Sequence, residues 1–479
     1  MSLITLTWIA LPFFMGFSIY LLPKLDRAFA LMVAFLSLVY GLQAILAPLP
    51  INLQLLDNFG VTLTVDSLSG YFILTNALVT TAVILYCWQS DKSAFFYTQI
   101  SILHGSVNAV FICADFISLY VALEIIGVAA FLLITYPRTD RSIWVGLRYL
   151  FVSNTAMLFY LIGALLVYQA THSFAFAGLG QAPTEAIALI FLGLLTKGGI
   201  FVSGLWLPLT HAESETPVSA MLSGVVVKTG VFPLVRCALM VEGITPMLQI
   251  FGAATAVLGV SYAILERDTK RMLASSTISQ LGFILVAPTA AGFYALTHGL
   301  AKSSLFLMAG NLPSRDFEAL RASRVYTPMW AGIAISSLSI SGFPLLAGFG
   351  AKTQTLKQLS SWQEIVMSIV AVGTAIAFAK FIFIPPTSEP AESYSRKLGL
   401  WLAILLLLSG LIAANIVYID AYTTTNLVKA LLTLGAGWLV YFLAFRKTIL
   451  KLPRLFEQLE HLIGVMSIVL TVLFWMVLA

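Results

Sequence analysis

Charged residues are scarce in this chain of 479 residues. Asp, Glu, Lys and Arg make up 10% of it, whereas about 25% is usual in soluble globular proteins. Hydrophobic residues account for 59%, and the mean hydropathy is +0.96. No polar linker or low-complexity extension interrupts the apolar segments. These features exclude a typical soluble domain and predict a single membrane domain without a sizeable soluble part.

Cysteine is equally scarce, with Cys87, Cys113 and Cys237 as the three in the chain. They lie in or near apolar segments, at spacings that fit neither a metal site nor a disulfide framework. The sequence contains no flavin, iron–sulfur or quinone motif. We therefore expect no cofactor, no metal site and no electron transfer in this chain. The small net charge of +5 does not indicate a nucleic-acid partner.

Long apolar segments recur through the whole sequence. A transmembrane helix needs about 20 mainly apolar residues, and this requirement predicts an all-α polytopic membrane protein with about 14–16 transmembrane helices. The shortest candidates, 95–113 and 272–287, lie near the lower limit for a span. Residues 51–65 alternate with period two, which predicts a short hairpin over the bundle. The candidate segments are 3–22, 28–47, 67–88, 95–113, 115–136, 147–170, 185–206, 217–240, 245–265, 272–287, 290–311, 328–350, 364–384, 399–419, 426–445 and 461–478.

Basic residues are concentrated in alternate loops between these segments. Cytoplasmic loops of membrane proteins carry an excess of Lys and Arg, so these loops are predicted to be cytoplasmic and both termini to lie on the opposite side. The connection with His211, Glu213 and Glu215 departs from this rule, which indicates partial burial. The loop cations are Lys24, Arg27, Lys92, Arg138, Arg141, Arg267, Lys270, Arg271, Arg315, Arg321, Arg324, Arg396, Lys397, Arg446, Lys447, Lys451 and Arg454.

Several ionisable residues lie within the predicted spans. A central charge costs a membrane helix about 2.5–3.5 kcal/mol on insertion scales, so each one indicates an ion path, a proton relay or a buried partner charge. The structural alternatives are a static ion pair for Glu124 or Lys228 and a hydrogen-bonded core residue for His298. His298 and Lys302 share one helix face at a spacing of four. The set comprises Glu124, Lys197, Lys228, His298, Lys302 and Lys352.

Three further cations lie near helix ends. The long side chains of Lys380, Arg148 and Arg236 can reach water from such positions, and we interpret them as snorkelling residues. For Arg148, a place within the polar layer of the membrane domain is the alternative.

Prolines and glycines predict two broken helices. The first break is expected between Pro208 and Pro217, around His211. The alternative is that the polar residues before Pro217 only cap the following helix. The second break is expected at Pro344, in a Gly-rich stretch that ends at Lys352.

The stretch from Trp206 to Ala220 resembles a signature of the antiporter-like subunits shared by respiratory complex I and the multisubunit Mrp cation/proton antiporters. That signature has Trp-Leu-Pro, then a His, then Pro-Thr-Pro-Val-Ser-Ala; here Ser214-Glu215 stands where Ala-Pro is usual. The ionisable span residues named above follow in the family's order, and the resemblance covers about residues 67–384. Tyr294 stands where many members have a second His.

The resemblance implies two inverted five-helix repeats, each with one broken helix, and a line of charges across the membrane midplane. Glu124 would pair with Lys197, and Lys228 and His298 would pass the disturbance to Lys302 and Lys352, where a proton leaves. The chain would divide into N-terminal spans and a connecting segment (1–66), the proton-translocating core (67–384) and C-terminal spans (385–479). Pro208, His211, Pro217 and Pro344 would belong to the broken helices.

Three branches of function remain open. By elimination among the family's subunits, the chain is most similar to the D-type Mrp subunit, a transporter of H⁺ and Na⁺ rather than a redox catalyst. The elimination uses Lys352, where one complex I subunit has Glu, the break at His211, and the lack of a long lateral helix at the C-terminus. The alternatives are a proton-pumping subunit of an NAD(P)H-quinone oxidoreductase or hydrogenase, and a subunit of an inorganic-carbon uptake complex. All three imply other membrane subunits as partners, in a bacterial plasma membrane or a thylakoid.

Overall fold

The fold is all-α in the computed structural model, which describes residues 2–47, 49–56, 59–388, 398–446, 454 and 457–478. The predicted loop cations Arg396, Lys397, Lys447 and Lys451 lie outside these ranges. The helices are α1 (Ser2–Leu21), α2 (Asp26–Leu46), α3 (Ser67–Cys87), α4 (Ala94–Val110), α5 (Phe116–Ile134), α6 (Asp140–Thr171), α7 (Thr184–Gly198), α8 (Leu207–Glu213), α9 (Thr216–Met221), α10 (Lys228–Met240), α11 (Ile244–Leu265), α12 (Thr269–Val286), α13 (Ala291–Ala309), α14 (Phe317–Ser323), α15 (Thr327–Ser341), α16 (Ala347–Leu356), α17 (Ser361–Ile382), α18 (Leu398–Val417), α19 (Thr424–Val440) and α20 (Leu459–Leu478).

All sixteen segments predicted as spans are mainly helical. Within the described ranges, 12 helices are long and apolar enough to cross a membrane, or up to 13 if one bent pair is counted as a span. That pair is α12 with the helical segment that includes α13, bent by 111°. α4 and α15 are shorter, at 17 and 15 residues. The prediction of an all-α polytopic membrane protein is confirmed.

The predicted hairpin at residues 51–65 is also confirmed. Strands β1 (Ile51–Leu56) and β2 (Gly60–Val65) pair antiparallel, with Ile51 opposite Val65. The hairpin is fixed to the connection between α4 and α5, because the Thr64 N–H donates to Ile112 O at 2.7 Å. A second, parallel pair joins β3 (Val325–Tyr326) to β4 (Pro386–Thr387).

Two helices break at glycines in the left-handed conformation. α7 ends at Gly199 (φ +71°), and α15 ends at Gly342 (φ +86°). After each glycine the chain folds back tightly: a Cβ on Gly204 would lie 2.1 Å from Gly199 O, and one on Gly348 would lie 1.7 Å from Ser339 O. No side chain fits at these distances, so the backbone itself fills both breaks. The inverted relation of the implied repeats stays a prediction.

The first break has two parts. One covers Gly199 and the 3-10 segment Phe201–Trp206, just before Pro208, and the other, at Ser214 and Glu215 between α8 and α9, lies within the predicted interval. Pro208 and Pro217 lie in the first turns of α8 and α9. Proline is tolerated there because the first turn of a helix leaves its N–H groups unpaired. His211 therefore lies inside α8. Pro344 does lie in the second break, between α15 and α16.

Two cations interpreted as snorkelling residues bind inside the protein instead. Arg236 forms a two-point ion pair with Asp66, the residue that caps α3, and also donates to Ser69 Oγ at 2.9 Å. Lys380 donates to Ala263 O at 2.9 Å and to Glu266 O at 2.7 Å, so it caps the end of α11. Both side chains therefore fix helix ends.

The ion pair at Asp66 predicts a pH-dependent contribution to stability. Burial alone would raise the pKa of the Asp66 carboxyl, but the hydrogen bond and charge of Arg236 outweigh it and lower that pKa below its ordinary value. A lowered carboxyl pKa stabilises the fold above the ordinary value of about 3.9, and this stabilisation is lost as the pH falls through the lowered value.

We expect Asp66→Asn to reduce the free energy of unfolding at pH 7 by about 1–3 kcal/mol, the usual cost of leaving a hydrogen-bonding group of a partly buried pair without its partner. Thermal unfolding in detergent measures this, and the difference from the wild type should shrink below about pH 4. Asp91→Asn, at an exposed aspartate, is the control. Equal unfolding of wild type and Asp66→Asn at pH 7 would contradict the structural role.

Candidate functional site

Four lysines and a histidine predicted from the sequence lie in the interior of the protein. We call Lys197, Lys228, His298, Lys302 and Lys352 the buried array; their exposed fractions are 3%, 0%, 1%, 0% and 6%. In the described part of the chain, none of them forms an ion pair within 4.0 Å, although ten such pairs occur elsewhere there. A static ion pair therefore does not account for these lysines.

The first lysine lies beside Glu124 without touching it. Lys197, near the end of α7, donates to Ser153 Oγ on α6 at 2.7 Å. Its ammonium also lies against α5, since a Cβ on Gly127 would be 3.2 Å from Lys197 Nζ. Glu124 is one turn earlier on α5 and interacts electrostatically with Lys197. The two residues of the implied pair are thus neighbours that form no ion pair in this structure. A rotation of either side chain would change the distance between the Glu124 carboxylate and the Lys197 ammonium.

Glu124 lines a cavity of about 620 Å³ between α5, α6 and the start of α20. Its Oε1 atom is buried and has no hydrogen-bond partner among the described residues. Arg148 lines the same cavity and donates one bond to the Glu457 carbonyl. Of the two interpretations of Arg148, a place within the buried polar layer is the one that fits, because its exposed fraction is 3%.

Lys228 follows a local widening of its helix. Residues Leu222–Val226 between α9 and α10 form a π-helical turn, in which the Val227 N–H donates to Leu222 O, five residues back. The ammonium of Lys228 donates to Gly224 O at 2.5 Å. It also faces α13, where a Cβ on Gly299 would lie 3.4 Å away. A backbone carbonyl therefore solvates Lys228 in place of a carboxylate.

α13 carries the next two members of the array. Lys302 donates to Leu273 O at 2.8 Å and to Ser276 Oγ, both on α12, and lies over the Phe378 ring at 5.1 Å. His298, one turn earlier, has no partner on either ring nitrogen among the described residues. The alternative of a hydrogen-bonded core histidine does not fit that geometry. His298 instead interacts electrostatically with Lys228 and Lys302.

The last lysine lies at an open cavity. Lys352, on α16 after the second break, is over the Phe283 ring at 5.2 Å, and its Nζ has no hydrogen-bond partner in the described ranges. It lines a cavity of about 470 Å³ together with Glu364 and Lys429. The array thus runs from the cavity at Glu124, through a closed interior, to a second cavity at Lys352.

His211 and the two nearby glutamates do not cap a helix. Nδ1 of His211 bonds to Leu207 O at 3.0 Å, while Nε2 has no partner in the described ranges. Glu213 lies 3.6 Å from Arg141, and Glu215 lies 2.6 Å from Lys92. The glutamates therefore pair with loop cations, and α9 begins without a side-chain cap.

Several polar partners of the array were not predicted. They lie mostly on α12, which is entirely buried although it is rich in hydroxyl groups. The low hydrophobicity of α12 was the available signal in the sequence, but from it we inferred only that this span is short. At the position where the family often has a second His, Tyr294 donates to Gln280 Oε1 at 2.7 Å. The partners are Ser153 Oγ, Leu273 O and Ser276 Oγ, while Thr277 and Gln280, also on α12, bond to Ser223 and Tyr294 beside the array.

A buried histidine outside the array was also not predicted. His104 on α4 bonds to Thr80 Oγ1 at 3.0 Å and to Ser37 Oγ at 2.8 Å, so both of its nitrogens have partners. This cluster ties α2, α3 and α4 together. In the described ranges, no group of three or more His, Cys, Asp or Glu residues is placed to hold a metal ion.

One known protein family matches the part of the chain that contains the buried array. Residues 113–377, more than half of the chain, match the family described as NADH:quinone oxidoreductase/Mrp antiporter, transmembrane. This range includes every residue of the buried array.

Three relatives differ in the complexes that their names describe. Hydrogenase-4 component B of Escherichia coli is 29% identical, over 73% of this chain and 61% of the relative. The N-type subunit of the NADH-quinone oxidoreductase of Desulforudis audaxviator is 29% identical, over 68% and 72%. The D-type subunit of the Na⁺/H⁺ antiporter of Alkalihalophilus pseudofirmus is 24% identical, over 66% and 71%. The chain thus spans only about three fifths of the length of the hydrogenase component.

Two solved structures share the fold. The archaeal membrane-bound sulfane sulfur reductase contains a chain with a TM-score of 0.74 at 22% identity, covering 90% of this chain and 99% of that one. The Mrp complex of a Dietzia species contains one with a TM-score of 0.74 at 21% identity, covering 98% and 59%. By their titles, the first is a respiratory membrane complex and the second a Mrp complex.

The geometry predicts which of Glu124 and the array lysines a thiol reagent can reach after replacement by cysteine. We expect Glu124→Cys to react with a membrane-permeant maleimide and Lys352→Cys with a small water-soluble methanethiosulfonate, because each lines an open cavity. Lys228→Cys and Lys302→Cys should stay unlabelled, since both positions are fully buried.

The native chain suits this labelling because Cys87, Cys113 and Cys237 are all buried. Asp91→Cys, at an exposed position, gives the labelling rate of a cysteine that is fully accessible to the reagent. Labelling of the two central positions as fast as the outer two would contradict a closed interior.

Proposed function

The chain belongs to the NADH:quinone oxidoreductase/Mrp antiporter transmembrane family, and from this premise we propose that it is a proton-translocating subunit of a multisubunit membrane complex. The observation that supports this most strongly is the buried array itself. Four buried lysines without a paired carboxylate are costly unless their charge can change. They also lead from one cavity to another.

The chemistry needs only proton transfer. A lysine removed from water favours its neutral amine, and an approaching carboxylate favours the ammonium. Closing the Glu124–Lys197 gap would therefore hold a proton on Lys197, and opening it would release that proton toward Lys228. Repulsion between neighbouring ammonium groups then drives the proton along Lys302 to Lys352, where the cavity gives access to solvent.

Among the complexes that such a subunit serves, we favour a Mrp-type Na⁺/H⁺ antiporter, with this chain as the D-like subunit. The relative named as the D-type part of a Na⁺/H⁺ antiporter supports it, together with the elimination based on Lys352. The relatives from hydrogenase and NADH-quinone oxidoreductase favour the alternative, a proton-pumping subunit of a redox complex. An inorganic-carbon uptake complex is the third candidate. Co-purification of the partner subunits distinguishes the three.

The loop charges give the proposed orientation. With the basic loops in the cytoplasm, or on the equivalent side of a thylakoid, the connection between α16 and α17 faces the opposite side. The cavity at Lys352 is lined by Lys357 and Leu359 of that connection. We therefore propose that Lys352 exchanges protons with the non-cytoplasmic side.

The test of the proposed function is Lys228→Ala. We expect it to reduce ion- or redox-driven proton flux in membrane vesicles of the native host to background. Insertion should not suffer, because losing a central charge eases it by about 2.5–3.5 kcal/mol. Flux is normalised to the assembled complex.

Two control variants separate the relay from structure. Lys380→Ala removes a buried lysine that only caps α11, so it should lower stability but keep the flux per assembled complex. Lys24→Ala removes an exposed lysine and should change neither. Wild-type flux in Lys228→Ala would show that Lys228 is structural and would overturn the proposed function.

A further inference from the structure

We propose that the hydroxyl groups of Ser223 and Thr277 conduct the proton between Lys228 and Lys302, along a hydrogen-bonded route that bypasses His298. This inference rests on the proposed function and names two residues that act within it. Neither the sequence motifs nor the family's line of charges includes them.

A hydrogen-bonded hydroxyl pair lies between the two lysines, and a backbone carbonyl links each lysine to that pair. Lys228 Nζ lies 3.5 Å from Ser223 O and 2.5 Å from Gly224 O. Ser223 Oγ bonds to Thr277 Oγ1 at 2.7 Å. Thr277 Oγ1 donates to Leu273 O at 2.9 Å, and Lys302 Nζ donates to the same carbonyl at 2.8 Å. Thr277 and Lys302 therefore converge on one oxygen atom.

The direction of the hydrogen bonds follows from these contacts. A hydroxyl has one proton to donate and two lone pairs. Thr277 gives its proton to Leu273 O, so it must accept the proton of Ser223. Ser223 Oγ then keeps acceptor capacity for a proton from Lys228. The O–H bond of Ser223 therefore already points toward Thr277, in the direction of transfer from Lys228 to Lys302.

The π-helical turn explains why this route exists. It places Ser223 and Gly224 one turn before Lys228, and it lets α13 approach closely, since a Cβ on Gly224 would lie 2.2 Å from Ser303 Oγ. Ser223 and Thr277 are both fully buried, so water does not compete for them. π-Helical turns are frequent at functional sites.

His298 offers no such connection in this conformation. Both of its ring nitrogens lack hydrogen-bond partners in the described ranges, and the charges of the two lysines act on the ring electrostatically. A proton that passed through His298 would first need a rearrangement or an inserted water. The hydroxyl route needs two rotations, of the Lys228 ammonium from the Ser223 carbonyl to Ser223 Oγ and of the Thr277 O–H from Leu273 O to Lys302.

The proposed step balances. The Lys228 ammonium rotates toward Ser223 Oγ and gives it a proton, while Ser223 passes its own proton to Thr277 Oγ1. Thr277 turns its O–H bond from Leu273 O to the neutral Lys302 amine and gives up its proton. One N–H bond breaks at Lys228 and one forms at Lys302, and both hydroxyls are restored.

Two substitutions at position 277 separate proton conduction from packing. Thr277→Val keeps the volume and removes the hydroxyl, whereas Thr277→Ser keeps the hydroxyl and removes a methyl group. A side chain positioned for proton transfer raises the rate of that transfer by about 100-fold or more. With water as a partial substitute, we expect at least about a tenfold loss of flux in Thr277→Val and in Ser223→Ala, and near wild-type flux in Thr277→Ser.

The measurement is proton flux in native-host vesicles, normalised to assembled complex, in H₂O and in D₂O. In Thr277→Val the transfer between the lysines becomes the slowest step, so its solvent isotope effect should exceed that of the wild type. The control is the double variant Thr5→Val with Tyr40→Phe, which removes a buried hydroxyl pair between α1 and α2. It should keep wild-type flux and isotope effect.

The outcomes separate this proposal from the proposed function. If Lys228→Ala is inactive but Thr277→Val and Ser223→Ala keep wild-type flux, the route through these hydroxyls is wrong. If Thr277→Ser loses more flux than Thr277→Val, the position serves packing, and the proposal is equally overturned. Should Thr277→Val fail to assemble, Ser223→Ala carries the same test. Wild-type proton flux in Lys228→Ala would overturn the proposed function itself.

Discussion

The structure depends on one constraint: an ammonium group in an apolar interior must be solvated by the protein. A carboxylate would do this most strongly, but it would also fix the charge. Here the partners are weaker. Hydroxyls solvate Lys197 and Lys302, and backbone carbonyls solvate Lys228 and Lys302. Such groups hold a proton and can release it.

This constraint also explains where glycines lie against the array. Gly127 faces the ammonium of Lys197, Gly299 that of Lys228, and Gly342 the side chain of Lys352, at Cβ distances of 3.2, 3.4 and 3.0 Å. At each of these glycines, the missing side chain leaves room for the lysine to lie against the backbone. Gly342 has a second role, since its positive φ ends α15 at the break. The same glycines thus allow both the close packing of the helices and the placement of the lysine charges.

Sequence reasoning identified the array because a lysine inside an apolar segment is conspicuous by itself. It could not identify Thr277, because a threonine in a membrane helix is ordinary and becomes informative only when α12 lies beside the π-helical turn. Arg236 was misread for a similar reason: its partner, Asp66, is 170 positions away. The part of the first break that lies before Pro208 was not predicted, because proline can begin a helix as well as interrupt one. Contacts between distant segments decide these points, and single-sequence patterns do not record them.

Central to the account is the claim that the buried lysines change their charge during turnover. The most direct measurement is nuclear magnetic resonance of the assembled complex in liposomes with ¹³Cε- and ¹⁵Nζ-labelled lysine, with the Lys228 signal assigned from Lys228→Ala. We predict that this signal moves between the ammonium and amine positions when the driving gradient is reversed. A Lys228 signal that stays in one charge state in both directions, in a complex that still moves protons, would contradict the account.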